Sequence, residues 1–201
     1  MAIISTVLSH YDPLPHLPRR VAVAGVSGAG KTTLAGRIAE VIAAPHIEID
    51  ALYHGPGWVP RESFLDDVRS MVDGDTWTTE WQYRAARPIL LEHADLIVWL
   101  DLPFWTSTLP RLLRRTIRRR LRREVLWNGN VEPQFHTFFT DPEHIVRWAF
   151  STRHKYRTRI PELSRTAPHL PIVRLRSQRE VERWLEVVLA GARDGSTDPF
   201  P

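Results

Sequence analysis

Between Gly25 and Thr32 the chain reads Gly-Val-Ser-Gly-Ala-Gly-Lys-Thr, with Thr33 following. This spacing, G-x-x-x-x-G-K-[ST], is that of a loop whose backbone wraps a phosphate. Its flanks narrow the fold further. Val21-Ala22-Val23-Ala24 is short and apolar, as a buried strand is, and Leu34, Ile38, Val41 and Ile42 recur afterwards at helical spacing. Strand, glycine turn and helix in that order belong to an α/β architecture. Glycines let backbone N–H groups approach an anion without Cβ clashes, and the helix N-terminus adds positive potential. Gly25, Ser27, Gly28, Ala29, Gly30, Lys31, Thr32 and Thr33 are therefore the expected nucleotide-binding residues, with ATP as the nucleotide. Lys31 is expected to reach the β- and γ-phosphates, and the Thr32 hydroxyl to ligate Mg²⁺.

The remaining chain alternates strand and helix signals. Strands are expected at His46–Asp50, Trp77–Trp81, Leu96–Asp101 and Ile172–Leu175. Between them Phe64, Leu65, Val68, Met71 and Val72 mark one helix face, and Pro88–His93 a short helix. An arginine-rich helix follows, with Leu109, Leu113, Ile117 and Leu121 on one stripe and Arg111, Arg115, Arg118 and Arg122 opposite, ended by Asn128-Gly129-Asn130. Asp141 and Pro142 open a further helix that carries Trp148, Arg153, Lys155, Arg157 and Arg159 and that Pro161 should end. Ser177 with Glu180 forms a capping box for the last helix, whose apolar face is Val181, Trp184, Leu185, Val188 and Leu189. Such alternation predicts a five-stranded parallel sheet with helices on both faces and an arginine-rich helical lid. The expected boundaries are an N-terminal extension over 1–18, the nucleotide-binding domain over 19–192 with its lid at about 105–160, and a frayed tail over 193–201.

A chain of 201 residues is long enough for one such core plus a lid. Cysteine is absent, which excludes disulfides and thiolate metal sites, and with no signal peptide visible the cytoplasm is expected. The apolar run Leu96–Leu100 is too short to span a bilayer, so no membrane partner is expected. The net charge of +4 favours anionic partners, nucleotides or nucleic acid.

In α/β sheets ligands sit beyond the carboxyl ends of the strands. Asp50, Glu80 and Asp101 are each expected to close a strand, and each is either a site carboxylate or an ordinary strand-end group paired with arginine. Phosphoryl transfer needs charge neutralisation, in-line positioning and a group that orients or deprotonates the nucleophile. Asp50 is expected to take the hydrogen bond or proton of the acceptor, and Glu80 to hold Mg²⁺ through water. Arg114, Arg115, Arg118 and Arg119, in the first turns after strand four, are candidates for phosphate contacts, Arg115 and Arg118 for catalysis. The competing readings are a solvated basic face or nucleic-acid phosphate binding. Arg153 and Arg157 approach from the other side of a lid. Tyr53 and Trp58 are candidates for acceptor contacts, while Trp58, Trp81 and Trp105 either stack on an acceptor ring or belong to the core. His54, beside the acceptor loop, reads as solvated.

Gly25–Thr33, Ile49–Tyr53, Gly57-Trp58, Val98–Pro103 and Val173–Ser177 occur in the order found in adenylate-kinase-like P-loop proteins, and the chain resembles in particular those called topology modulation proteins. The likeness covers roughly residues 19–190. It implies a five-stranded parallel sheet of the P-loop nucleotide kinase type with the P-loop strand central, an acceptor region after strand two and an arginine lid after strand four. It also implies that Arg84 grips an acceptor phosphate and that Arg176 and Ser177 lie beside the adenine ring. Strand three ends in Asp-Gly in these relatives and in Glu80-Trp81 here. The tryptophan fills space that glycine leaves open, which points to a different or smaller acceptor. The expected activity is ATP- and Mg²⁺-dependent phosphoryl transfer to a nucleotide or small hydroxylated acceptor. The alternatives are a nucleic-acid-associated ATP-binding protein and a nucleotide sensor without transfer.

Overall fold

The computed structural model describes residues 7–131 and 150–193. Five strands, β1 (Val7–Leu8), β2 (Arg20–Gly25), β3 (Trp77–Glu80), β4 (Leu96–Leu100) and β5 (Ile172–Leu175), form one sheet in the order β1-β5-β4-β2-β3. Every pairing is parallel, with Val21 opposite Thr78 on one side and Leu96 on the other. The helices are α1 (Lys31–Ile42), α2 (Ile49–Tyr53), α3 (Phe64–Val72), α4 (Arg87–His93), α5 (Leu109–Leu121), α6 (Lys155–Thr166) and α7 (Gln178–Arg183). A π-helical turn, Phe104–Thr108, leads into α5, and another, Trp184–Leu189, carries α7 on to Arg193.

Alternation along the strands divides the core between two faces. Val21, Val23, Leu96, Val98, Leu100, Val173 and Leu175 pack with Leu34 and Ile38 of α1 and Val181 and Trp184 beyond β5. Ala22, Ala24, Ile97, Trp99 and Ile172 turn the other way, where Phe64, Val68, Leu90, Tyr156 and Ile160 cover them. The small alanines of β2 leave room there for Trp77 and Trp99, both buried. Ser177 accepts from the Glu180 N–H at 3.2 Å, and the Glu180 carboxylate accepts from the Arg176 N–H, so the expected cap is present.

Four expectations are corrected. His46–Asp50 is not a strand. Only His46 bridges Thr78, and the chain turns into α2 because the Ile49 N–H donates to the Glu80 side chain at 3.1 Å instead of to a neighbouring strand. The fifth strand is instead Val7–Leu8, paired with β5. With β1 at the far edge, the P-loop strand β2 lies second from the edge and β4 takes the centre. Pro161 does not end its helix: α6 runs on to Thr166, since Ile160, Leu163 and Ser164 are buried on both sides of it. The arginine helix stops at Leu121, short of Asn128, after which Arg123 takes a positive φ of 47°. The helix read from Asp141, Trp148, the middle of the lid and the tail beyond Arg193 lie outside the described residues. Among the described residues no helix is long and apolar enough to cross a membrane.

Candidate active site

Strand β2 delivers Gly25 to the carboxyl edge of the sheet, and the loop closes with Ala29 N–H donating to the Val26 carbonyl at 3.1 Å. Gly30, at φ 96°, caps α1 without any side-chain hydrogen bond, so the first-turn amides are uncapped donors. Gly28 is fixed for a second reason. It sits at φ 82° and a Cβ there would lie 2.7 Å from Leu112 Cβ and 3.0 Å from the Thr108 carbonyl. The start of α5 therefore rests on the phosphate loop. Gly28→Ala is expected to cost about 2–4 kcal/mol, from backbone strain and overpacking together. Thermal unfolding reads this directly, and an unchanged Tm would contradict the contact.

Lys31 lies along the loop, buried, with Nζ 3.4 Å from the Val26 carbonyl. Burial pushes its ammonium down from the ordinary lysine range. Asp50 and Glu80 act against this, and Arg115 adds to it. These opposing influences place Asp50, Glu80 and Arg115 in one electrostatic neighbourhood with the lysine, as a phosphoryl-transfer centre requires.

Glu80 ends β3 and is 2% exposed. Burial alone raises its pKa. The contacts of His46 and Thr32, the Ile49 N–H and the Lys31 charge outweigh it and hold the carboxyl below the usual range. The residue is thus an anion in the interior. Oε2 takes the Ile49 N–H, while Oε1 is buried without a hydrogen-bond partner, 3.8 Å from His46 Nε2. An unsatisfied anionic oxygen beside the Thr32 hydroxyl is the all-oxygen donor set that suits Mg²⁺, whose other positions phosphate and water would fill. Among the described residues no group of three or more His, Asp or Glu gathers around an ion site.

Asp50, in the first turn of α2, is held by two donors from the chain just after β3. Gln82 Nε2 and Tyr83 OH each reach Oδ1 at 2.6 Å. Tyr83 stacks on Tyr53 at 3.9 Å between centroids, and Tyr53 meets His54 and Phe64 edge-on. His54 also stacks on Trp127 and meets Trp58 edge-on. Asp50 and Tyr53 lie on the same short helix, beside an aromatic nest that His54 shares.

The arginine helix has both stripes, but its buried residues come from neither, and of the leucine stripe only Leu109 packs against them. Leu112 and Thr116, which lie between the stripes, are the buried residues of α5. Leu113, Ile117 and Leu121 are 39%, 47% and 73% exposed. On the other flank Arg111, Arg114, Arg115 and Arg118 line an open concavity of about 300 Å³. Arg111 donates to Gln178 at 3.0 Å and Arg115 acts on Lys31, which sets this concavity between the P-loop and the first turn of α7. Arg114 and Arg118 also border the outer groove along the leucine stripe. Arg119 turns away, with its guanidinium 5.9 Å from the Trp127 ring.

Beyond α5 the turn Trp127–Gly129 clamps the loop that follows α2. Trp127 Nε1 donates to Glu48, and Asn128 donates to the His54 carbonyl. Asn130, buried, donates to the Gly55 carbonyl at 2.9 Å and accepts from the Trp58 N–H at 3.0 Å. Asn130→Ala leaves both partners unsatisfied, at about 1–3 kcal/mol each. A lower denaturant midpoint with an unchanged m-value is the expected result. In sequence these amides read only as a helix breaker; nothing local said where they dock.

Other candidates are more dispersed. Asp101, 10% exposed at its side chain, pairs with Arg174 and with Arg157 at 3.5 Å, the ordinary strand-end reading. Trp81 is buried, and Trp105 is 64% exposed. Arg153 is exposed, with Nη1 on the Phe150 carbonyl, and Arg176 is exposed beside the capping residue Ser177. Arg84 is exposed next to a set of cations that periodicity did not group. Arg87 lies 5.4 Å over the Trp81 ring. Lys155 and Arg159 flank Tyr156, whose OH donates to the Trp81 carbonyl at 3.2 Å. Arg87 Nε and Arg159 Nη1 are buried without a hydrogen-bond partner, and among the described residues no carboxylate lies within 4 Å of Arg84, Arg87 or Arg159.

No family model and no curated protein sequence matches the chain. Several solved structures are similar in chain path. A gluconokinase from Sinorhizobium meliloti 1021 has a TM-score of 0.49 at 20% identity, over 90% of this chain and 95% of that one. An unliganded sugar kinase from Janibacter sp. HTCC2649 has a TM-score of 0.48 at 21% identity, over 87% and 97%. A shikimate kinase from Acinetobacter baumannii, in complex with shikimate, has a TM-score of 0.49 at 15% identity, over 90% and 96%. The likeness to topology modulation proteins rests on the sequence motifs alone.

Proposed function

We propose that the protein is an ATP- and Mg²⁺-dependent phosphotransferase acting on a nucleotide or another small hydroxylated acceptor that carries an anionic group. The observation that carries this reading is the convergence on Lys31. One buried ammonium on the phosphate loop feels two carboxylates, and these differ in their surroundings. Glu80 is sealed in and offers a single unsatisfied oxygen. Asp50 is tied down through one oxygen by uncharged donors. Such a difference suits one carboxylate to a metal and the other to a hydroxyl nucleophile.

In this reading the uncapped amides of α1 and Lys31 hold the β- and γ-phosphates, and Thr32 and Glu80 would hold Mg²⁺, which would supply charge neutralisation there. Asp50 accepts the hydrogen bond, then the proton, of the acceptor hydroxyl as its oxygen attacks the γ-phosphorus and the bond to the β-phosphate oxygen breaks. Arg115 reaches the same charge from α5. Arg84, Arg87 and Arg159, which have no carboxylate within 4 Å among the described residues, support an anionic acceptor, since oxyanions suit guanidinium forks. The Sinorhizobium, Janibacter and Acinetobacter proteins are described as kinases of small molecules. The adenylate-kinase-like assignment, by contrast, stands on sequence motifs.

A screen of nucleoside monophosphates, nucleosides, sugars, sugar acids and aminoglycosides with ATP and Mg²⁺, reading phosphorylated product, tests the proposal. Transfer to an anionic acceptor supports it. Tight ATP binding with no product from any acceptor would replace it with a nucleotide sensor. The outward-facing Arg114 and Arg118 favour one other reading, binding to nucleic-acid phosphates, which predicts DNA or RNA affinity that falls steeply with salt.

A further inference from the structure

Tyr83 is held in a conformation that an aromatic residue adopts only under constraint, φ 52°. The turn that imposes it starts where the Gln82 N–H donates to the Glu80 carbonyl at 2.9 Å, and the Arg87 N–H donates back to the Tyr83 carbonyl at 3.2 Å. Its effect is to place two successive side chains, Gln82 and Tyr83, on the same oxygen of Asp50. Stacking on Tyr53 and an edge contact with Phe64 at 5.3 Å fix the ring. The phenol oxygen hydrogen-bonds Asp50 Oδ1 at 2.6 Å and His54 Nε2 at 3.1 Å.

The proton count settles the directions. A carboxylate only accepts, so the single Tyr83 proton goes to Asp50. Burial, the Asp50 charge and that hydrogen bond push the phenol upward and outweigh the opposing Gln82 contact, which keeps it a donor. His54 must then donate through Nε2–H, while its Nδ1 is buried without a partner. Among the described residues no hydrogen bond reaches Asp50 Oδ2.

We propose that Tyr83 and His54 are positioning residues for Asp50: the chain His54 Nε2–H to Tyr83 O–H to Oδ1 locks the carboxylate so that Oδ2 is presented to the acceptor hydroxyl. Neither residue touches the reacting atoms. This rests on the reading of Asp50 as the group that receives the acceptor proton.

Two measurements test it. The first needs no acceptor. Long-range ¹⁵N–¹H correlation spectra of the folded protein are expected to show the His54 ring as the Nε2–H tautomer, changed in Tyr83→Phe. An Nδ1–H tautomer in the wild type would overturn the chain of donors. The second is kinetic, with ATP, Mg²⁺ and the acceptor that the product screen finds. Tyr83→Phe keeps the ring stack and is expected to lower kcat by about 10- to 100-fold while KM for ATP stays within twofold, as misorientation of a reacting group does. His54→Gln lowers kcat less, the double variant is no worse than Tyr83→Phe, and Tyr83→Phe has no further effect in an Asp50→Asn background. Wild-type kcat in Tyr83→Phe, or a full additional loss in the Asp50→Asn background, overturns the proposal and leaves the kinase reading standing. A wild type that forms no product from any acceptor overturns the kinase reading and the catalytic role together, and only the tautomer result would survive.

Discussion

Lys31→Met is expected to give a folded protein whose affinity for Mg·ADP is lowered about 10- to 100-fold, the size of one charge-assisted hydrogen bond, and whose turnover falls by about 10²–10³-fold or more. The reasoning starts from burial. Lys31 is only 9% exposed, and burial has already pushed its ammonium down, so the fold bears the cost of a desolvated cation that a thioether of similar length does not impose. Against this, the substitution strips Asp50 and Glu80 of a neighbouring positive charge. Glu80 keeps its bond from the Ile49 N–H, and Asp50 keeps those from Gln82 and Tyr83. The two effects oppose each other, and Tm should move by only a few degrees. Calorimetric titration with Mg·ADP and circular dichroism on the same samples separate binding from folding. Unchanged affinity and unchanged turnover would remove the phosphate loop from any role.

How much of this was legible in the sequence depends on the range of the interactions. The loop and the strand before it were legible because glycine spacing and a short apolar run are local. A sheet covered on both faces was legible in the alternation of strand and helix signals along the chain. The strand expected at His46–Asp50 failed for a non-local reason: Ile47 and Ile49 look like strand residues, but the Ile49 amide is taken by the Glu80 side chain, thirty-one positions away. Val7–Leu8 was missed because a two-residue edge strand carries no period. In α5 both stripes were read correctly. Which face would be buried depended on Gly28, whose missing Cβ lets Leu112 approach, and no periodicity encodes that contact.

The same distinction applies to the site. Lys31, Asp50, Glu80 and Arg115 were chosen as candidates from residue type and position, and the structure brings them into one electrostatic neighbourhood. Gln82, Tyr83 and His46, which hold the two carboxylates, were not. Their part depends on a left-handed backbone at a tyrosine and on a single bridge outside the sheet, neither of which has a compositional signature.

Asp50→Asn is the second large effect, and its value lies in what it leaves intact. Gln82 Nε2 and Tyr83 OH both donate to Oδ1, and an asparagine carbonyl oxygen in that position accepts the same two bonds. The aromatic nest of Tyr53, His54 and Tyr83 then has no reason to move, and the phosphate loop is not altered. What changes is Oδ2: an acceptor becomes an NH₂ group that cannot take a proton and that meets the acceptor hydroxyl with a donor. Turnover is expected to fall by about 10²–10⁴-fold, the usual contribution of a general base. Mg·ADP affinity should shift only modestly, since the lost charge acts on Lys31 from outside the phosphate loop. A tenfold loss of ADP affinity with near-normal kcat would reverse the assignment, making Asp50 a support for Lys31 and sending the search for the proton acceptor elsewhere.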